Sequence, residues 1–223
     1  MIAVMLLTVT AGLPVDKLAG IPGQAAVSIW TWGVFLVLLE RIDQKFRLPL
    51  MLCLIISTLG ELVLSLVWGL YAYWLNNIPL FIPPGHALLF ALGLTAAPHL
   101  PKWALILVCS FAGSYGASAW LTSTDTFSAV LALFFLGCMA FGNNRRLYAT
   151  MFIISLFMEL YGTWIGNWVW VAQVPGLPLV SANPPLCVGA LYCVLDLLVE
   201  SANRHVGRRR HASDPALKAG CAV

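Results

Sequence analysis

Charge is what this sequence has least of. Of its 223 residues, 9% are charged and 61% are hydrophobic, with a mean hydropathy of +0.89, whereas soluble domains carry about a quarter charged residues. That scarcity excludes a soluble globular domain, and with it a basic nucleic-acid surface. Paired cysteines are missing as well. None of Cys53, Cys109, Cys138, Cys187, Cys193 and Cys221 forms a C-x-x-C, and all but Cys221 fall in apolar runs, so neither a disulfide framework nor a zinc site is expected. There is no H-x-x-x-H or E-x-x-H pair to put two metal ligands on one helix, no G-x-S-x-G and no glycine-rich phosphate loop. No metal and no cofactor is expected, and nucleophilic catalysis lacks its signature.

Long apolar runs are what the chain does have. They lie at 24–40, 49–74, 84–98, 102–121, 126–142, 147–171 and 184–202, bounded by Pro, Gly, Asn or charge. This predicts an all-α integral membrane protein of about seven spans in one domain covering residues 1–223. The opening stretch 1–23 is apolar to Leu13 and then broken by Pro14, Asp16 and Lys17, which fits a partial insertion, an uncleaved leader or an eighth segment. Alternating the loops puts Arg41, Lys45, Arg47, Lys102, Arg145, Arg146, Arg204, Arg208, Arg209, Arg210 and Lys218 on one side and leaves Lys17 on the other. By the positive-inside rule the first side is cytoplasmic. The expectation is an odd number of crossings of the cytoplasmic (inner) membrane, with the amino terminus outside and the basic tail 204–223 inside. Eight of the nine tryptophans map to outer helix ends and Trp103 alone to the inner side, so some of these rings are expected to line an outward-facing pocket.

The polar residues fall in a weak internal repeat. The second span and its following loop read Glu61, Ser65, Gly69, Tyr71, Tyr73, Pro79, Leu80, Pro83, Pro84; the sixth reads Glu159, Thr163, Gly166, Trp168, Trp170, Pro178, Leu179, Pro184, Pro185. Each has an intramembrane acid, a hydroxyl four residues on, Gly-x-aromatic-x-aromatic, Pro-Leu and a Pro-Pro. Spans one to three would match five to seven, with the fourth as connector. Both glutamates lie about 20 Å along their helices from the nearest cytoplasmic arginine, at 1.5 Å per residue. On helical spacing Glu61, Ser65 and Trp68 share a face, as do Glu159, Thr163 and Gly166, with Gly162 and Asn167 beside them.

An acid at that depth costs about 2.5–3.5 kcal/mol to insert, so these acids should face the bundle interior. Asp196 in the last span is a third. His86, at the start of the third span, fits a catalytic or a structural histidine equally. The candidate catalytic residues are therefore Glu61, Glu159, Asp196 and His86. The candidate substrate-binding residues are Ser65, Trp68, Tyr71, Tyr73, Thr163, Trp164, Asn167, Trp168, Trp170 and Asn183.

The run Glu159, Gly162, Gly166, Trp168-x-Trp170, Pro178-Leu179 resembles the signature of the membrane carotenoid hydratase family of carotenoid-biosynthesis proteins, in which the aromatic pair is usually Tyr-x-Tyr. The architecture also looks like the membrane-embedded lycopene and meroterpenoid terpene cyclases, whose implied pattern is an acid on the second span working with one on the last, here Glu61 and Asp196. Gly60 stands where the cyclases carry a Trp. These resemblances imply acid chemistry on an isoprenoid double bond, hydration or cyclisation, with a lipophilic small-molecule substrate drawn from the bilayer. The residues suit that chemistry: a buried carboxyl stays neutral enough to protonate an alkene, and aromatic faces steady the cation formed. A proton-coupled transporter and a non-enzymatic scaffold or assembly subunit are the alternatives.

Overall fold

A computed structural model describes residues 1–213. It contains seven helices, α1 (Ile2–Arg41), α2 (Gln44–Glu61), α3 (Ile82–Ala96), α4 (Lys102–Thr122), α5 (Thr126–Phe141), α6 (Arg145–Ile165) and α7 (Gly189–Ser213), and two short strands, β1 (Tyr71–Tyr73) and β2 (Trp168–Trp170). Four stretches are long and apolar enough to cross a membrane: α1, Gln44–Val67, α4 and α6. The shorter α5 is also apolar throughout.

Helix α1 is a hairpin. Gly20, at φ 62° and ψ −144°, breaks it between Pro14 and Pro22, a backbone geometry open in practice only to glycine. Its two limbs, 2–19 and 21–41, then run back along each other. Gly12 abuts Val27, and Trp30 Nε1 donates to Thr8 Oγ1 at 2.9 Å. Met1 and Arg41 consequently line one groove. This corrects the expectation that the chain begins at the end opposite Arg41: the opening stretch is a full helical limb, paired with the second.

Two runs expected to be helical to their ends are not. The run 49–74 gives way to a π-helix at Leu62–Val67 and then to β1, and 147–171 ends in β2. The strands pair antiparallel, with Tyr71 opposite Trp170 and Tyr73 opposite Trp168. Gly69 (φ 73°) and Gly166 (φ 84°) turn the chain from helix into strand at the same place in each copy.

The repeat is visible in the packing. Helices α2 and α3 pack together as α6 and α7 do, α2 meets α7 as α6 meets α3, and α1 meets α3 as α5 meets α7. Helix α4 packs on α5 and α6. Helix α3 is short because it is central: residues Ala87 to Gly93 are all buried, and a helix apolar all round belongs inside a bundle.

Candidate functional site

Glu61 and Glu159 come to one place, under the two-stranded ribbon. Each is 6% exposed, and each is held by the aromatic pair of its own copy. Tyr71 and Tyr73 donate their hydroxyls to Glu61 Oε2 at 2.9 and 2.8 Å. Trp168 and Trp170 donate their indole N–H groups to Glu159 Oε2 at 2.8 and 3.1 Å. The alternation of a strand explains the aromatic-x-aromatic spacing, since only residues two apart point to the same face. Ala72 and Val169, between them, face the other way, and Val169 is exposed.

The remaining oxygens take different partners. Glu61 Oε1 lies 2.9 Å from Nε2 of His86, in the first turns of α3. Glu159 Oε1 accepts from the Tyr192 hydroxyl, at the start of α7, at 3.0 Å. His86 and Tyr192 occupy matching addresses in the two copies, with ring centroids 5.1 Å apart. A small chamber of about 50 Å³ is lined by both glutamates, His86, Tyr192, Tyr73 and Trp168. A second, strongly apolar cleft of about 390 Å³ between α2 and α7 also reaches both acids. Its counterpart between α3 and α6, closed on one side by the first limb of α1, meets the chamber at Val9, Leu89 and Met158.

No known protein family, curated protein or solved structure matches the chain.

The other sequence-derived candidates are placed around this centre. Thr163 returns its hydroxyl to the backbone oxygen of Glu159 at 2.7 Å, and Ser65 donates to that of Tyr71 at 3.2 Å. Asn183 Oδ1 accepts from the Trp170 backbone N–H at 2.9 Å and so fixes β2. Asn167 donates to Asp16 and to the Leu13 carbonyl, which ties α6 to the α1 hairpin. Trp164 is 80% exposed and points away from the chamber. Trp68 donates to the Pro175 carbonyl in the loop after β2. The expected face of Glu61, Ser65 and Trp68 does not survive, because the π-helix after Glu61 adds a residue to the turn and Trp68 N–H bonds to Val63, five residues back. Asp196 is wholly buried, neither carboxyl oxygen has a hydrogen-bond partner among the described residues, and it does not line the chamber.

Three residues at work here are absent from the sequence-derived set. Tyr192 completes Glu159. Asp16, wholly buried, accepts from Gln24, Trp74 and Asn167. Asp125 caps α5 and accepts from the backbone N–H groups of Ala182 and Leu186. Asp16 and Asp125 each precede the first helix of a copy and each tie down the segment that follows that copy's strand.

Proposed function

We propose that this protein is a membrane-embedded enzyme that protonates a double bond of a lipophilic isoprenoid or polyene and so hydrates or cyclises it. The observation that carries the reading is the pair of buried glutamates facing one aromatic chamber, each oriented by three side chains. Alkene protonation needs a strong acid next to an apolar substrate, shielded from bulk water. It also needs electron-rich surfaces for the cation, and rings here give up to roughly 2 kcal/mol or more each when desolvated. Tyr71, Tyr73 and Trp168 present such surfaces around the carboxyls. The apolar cleft between α2 and α7 offers a lipid a way in from the side. Gly162 supports the reading of the E-x-x-G motif as part of the site: a methyl there would overlap the Trp168 ring that reaches Glu159.

In this reading the α1 limbs count as two crossings. The chain then spans the cytoplasmic membrane eight times, with Met1 at the same basic end as Arg41, Arg145 and Arg204. A proton-coupled carrier is the second reading, favoured by acids lying at the junction of two repeated units.

The test is mass spectrometry of lipid extracts from isoprenoid-producing cells carrying the wild-type gene or Glu61→Gln, Glu159→Gln. A variant-sensitive gain of one water marks a hydratase, and a new isomer of unchanged mass marks a cyclase. Identical extracts, together with proton-linked solute uptake into proteoliposomes, would move the assignment to a carrier.

A further inference from the structure

The two copies differ at one functional address, and that difference separates the roles of the two acids. Both glutamates receive two donors on Oε2 from their own strand. On Oε1, Glu61 meets the imidazole of His86 and Glu159 meets the phenol of Tyr192. An imidazole gains and loses protons near neutral pH, whereas a phenol does so only at about pH 10.

Resting on the reading above, we infer that Glu61 carries the reacting proton and exchanges it through His86 Nε2, while Glu159 is the fixed carboxylate that steadies the developing cation. Two facing carboxylates in a buried chamber repel, so one of them holds a proton. Glu159 is ill-placed to be that one. Two of its three partners are indoles, which donate and never accept, so its Oε2 has no acceptor for an acid hydrogen, whereas the phenols on Glu61 Oε2 can accept as well as donate. Glu61 is well placed. Its Oε1 has a single partner, Nε2 of His86, which can accept the acid proton. The His86 Nδ1 is buried without a hydrogen-bond partner among the described residues, so the ring's one hydrogen-bonded nitrogen is the Nε2 that faces Glu61. The titratable groups facing the Glu61–His86 pair are Tyr71, Tyr73, Tyr192 and Glu159, so no lysine or arginine competes for the proton within the chamber lining.

The cycle balances. The Glu61 O–H proton passes to one alkene carbon, a C–H bond forms from the π electrons, and the other carbon becomes the cation. Glu61 is left as carboxylate. Either water adds to the cation and loses a proton, or an internal double bond attacks and a neighbouring C–H breaks. The released proton returns to Glu61 by way of His86 Nε2, and no other reactant is consumed.

The assignment is tested on resting protein in lipid nanodiscs, without substrate. In wild-type protein labelled with ¹⁵N-histidine, the His86 signal, identified by its loss in His86→Gln, should be that of a neutral ring. The infrared C=O band of a neutral carboxylic acid should lose intensity in Glu61→Gln and keep it in Glu159→Gln, Asp196 contributing equally to both. An imidazolium signal from His86, or loss of the band in Glu159→Gln, would overturn the assignment. Exchanging the two partners, His86→Tyr with Tyr192→His, should move the affected band to Glu159; a band still removed by Glu61→Gln in that background would also overturn it. These readouts need no turnover, so failure to find any isoprenoid product would count against the proposed function and leave this assignment standing.

Discussion

A glutamine can stand in for either glutamate without leaving a donor stranded. Its amide oxygen takes the two strand donors, and its amino group faces His86 Nε2 or the Tyr192 oxygen, both able to accept. Glu61→Gln and Glu159→Gln are therefore expected to keep the wild-type melting temperature while losing turnover. A leucine is different. Glu159→Leu would bury two indole N–H groups with no acceptor, at about 1–3 kcal/mol each, whereas the freed hydroxyls in Glu61→Leu can rotate. Thermal unfolding should place Glu159→Leu clearly below Glu61→Leu, and equal losses would contradict the hydrogen bonding described. Glu61, Glu159 and the aromatic pairs were legible because acid and aromatic-x-aromatic recur together. Tyr192 was not, because it stands seven residues after Pro185 while His86 stands two after Pro84; the equivalence is of position at the head of a helix.

Between the elements, the one-residue drift in the repeat has a structural cause. Ten residues separate Glu61 from Tyr71 and nine separate Glu159 from Trp168. The π-helix at Leu62–Val67 takes up the extra one, as single-turn π insertions commonly do at functional sites. Helix periodicity alone carried the expected face past Glu61 and so misplaced Trp68. The second copy has no such insertion; Gly162 makes room for the larger indole instead. Gly162→Leu should drive Trp168 off Glu159, cost about 1–3 kcal/mol through overpacking, and lower turnover with it, as read by melting and by product yield. Asp125 makes a comparable joint. It caps α5 and holds the loop after β2 by two backbone N–H groups, so Asp125→Ala should cost at least the ~1 kcal/mol of a lost cap. An unchanged melting temperature would show that the loop is held elsewhere.

For the whole molecule, length and hydropathy were enough to read an all-helical chain with stretches long and apolar enough to cross a membrane, and most helix limits. The sense of the first segment was not readable, because Pro14, Asp16, Lys17 and Pro22 look like the end of a leader as much as the tip of a hairpin. Asp16 and Lys17 turn out to be the tip's anchors: Lys17 donates to the Gly166 carbonyl at 2.7 Å and lies over the Trp74 ring. The hairpin makes a sidedness prediction. Ile2→Cys and Asp43→Cys, both exposed, should react with an impermeant thiol reagent from the same side of the membrane, and Ser123→Cys, in the α4–α5 turn, from the other. Labelling of Ile2→Cys and Ser123→Cys from one side would refute the paired limbs.

The central claim is that a proton from this chamber ends on a carbon of an isoprenoid lipid. Its most direct measurement is to incubate membranes carrying the protein with an isoprenoid extract in D₂O and to follow the lipids by mass spectrometry. The account predicts a product bearing carbon-bound deuterium with the wild-type protein and none with Glu61→Gln. A wild-type sample in which no lipid of the extract acquires deuterium on carbon, or one in which Glu61→Gln labels as fully as wild type, would contradict it.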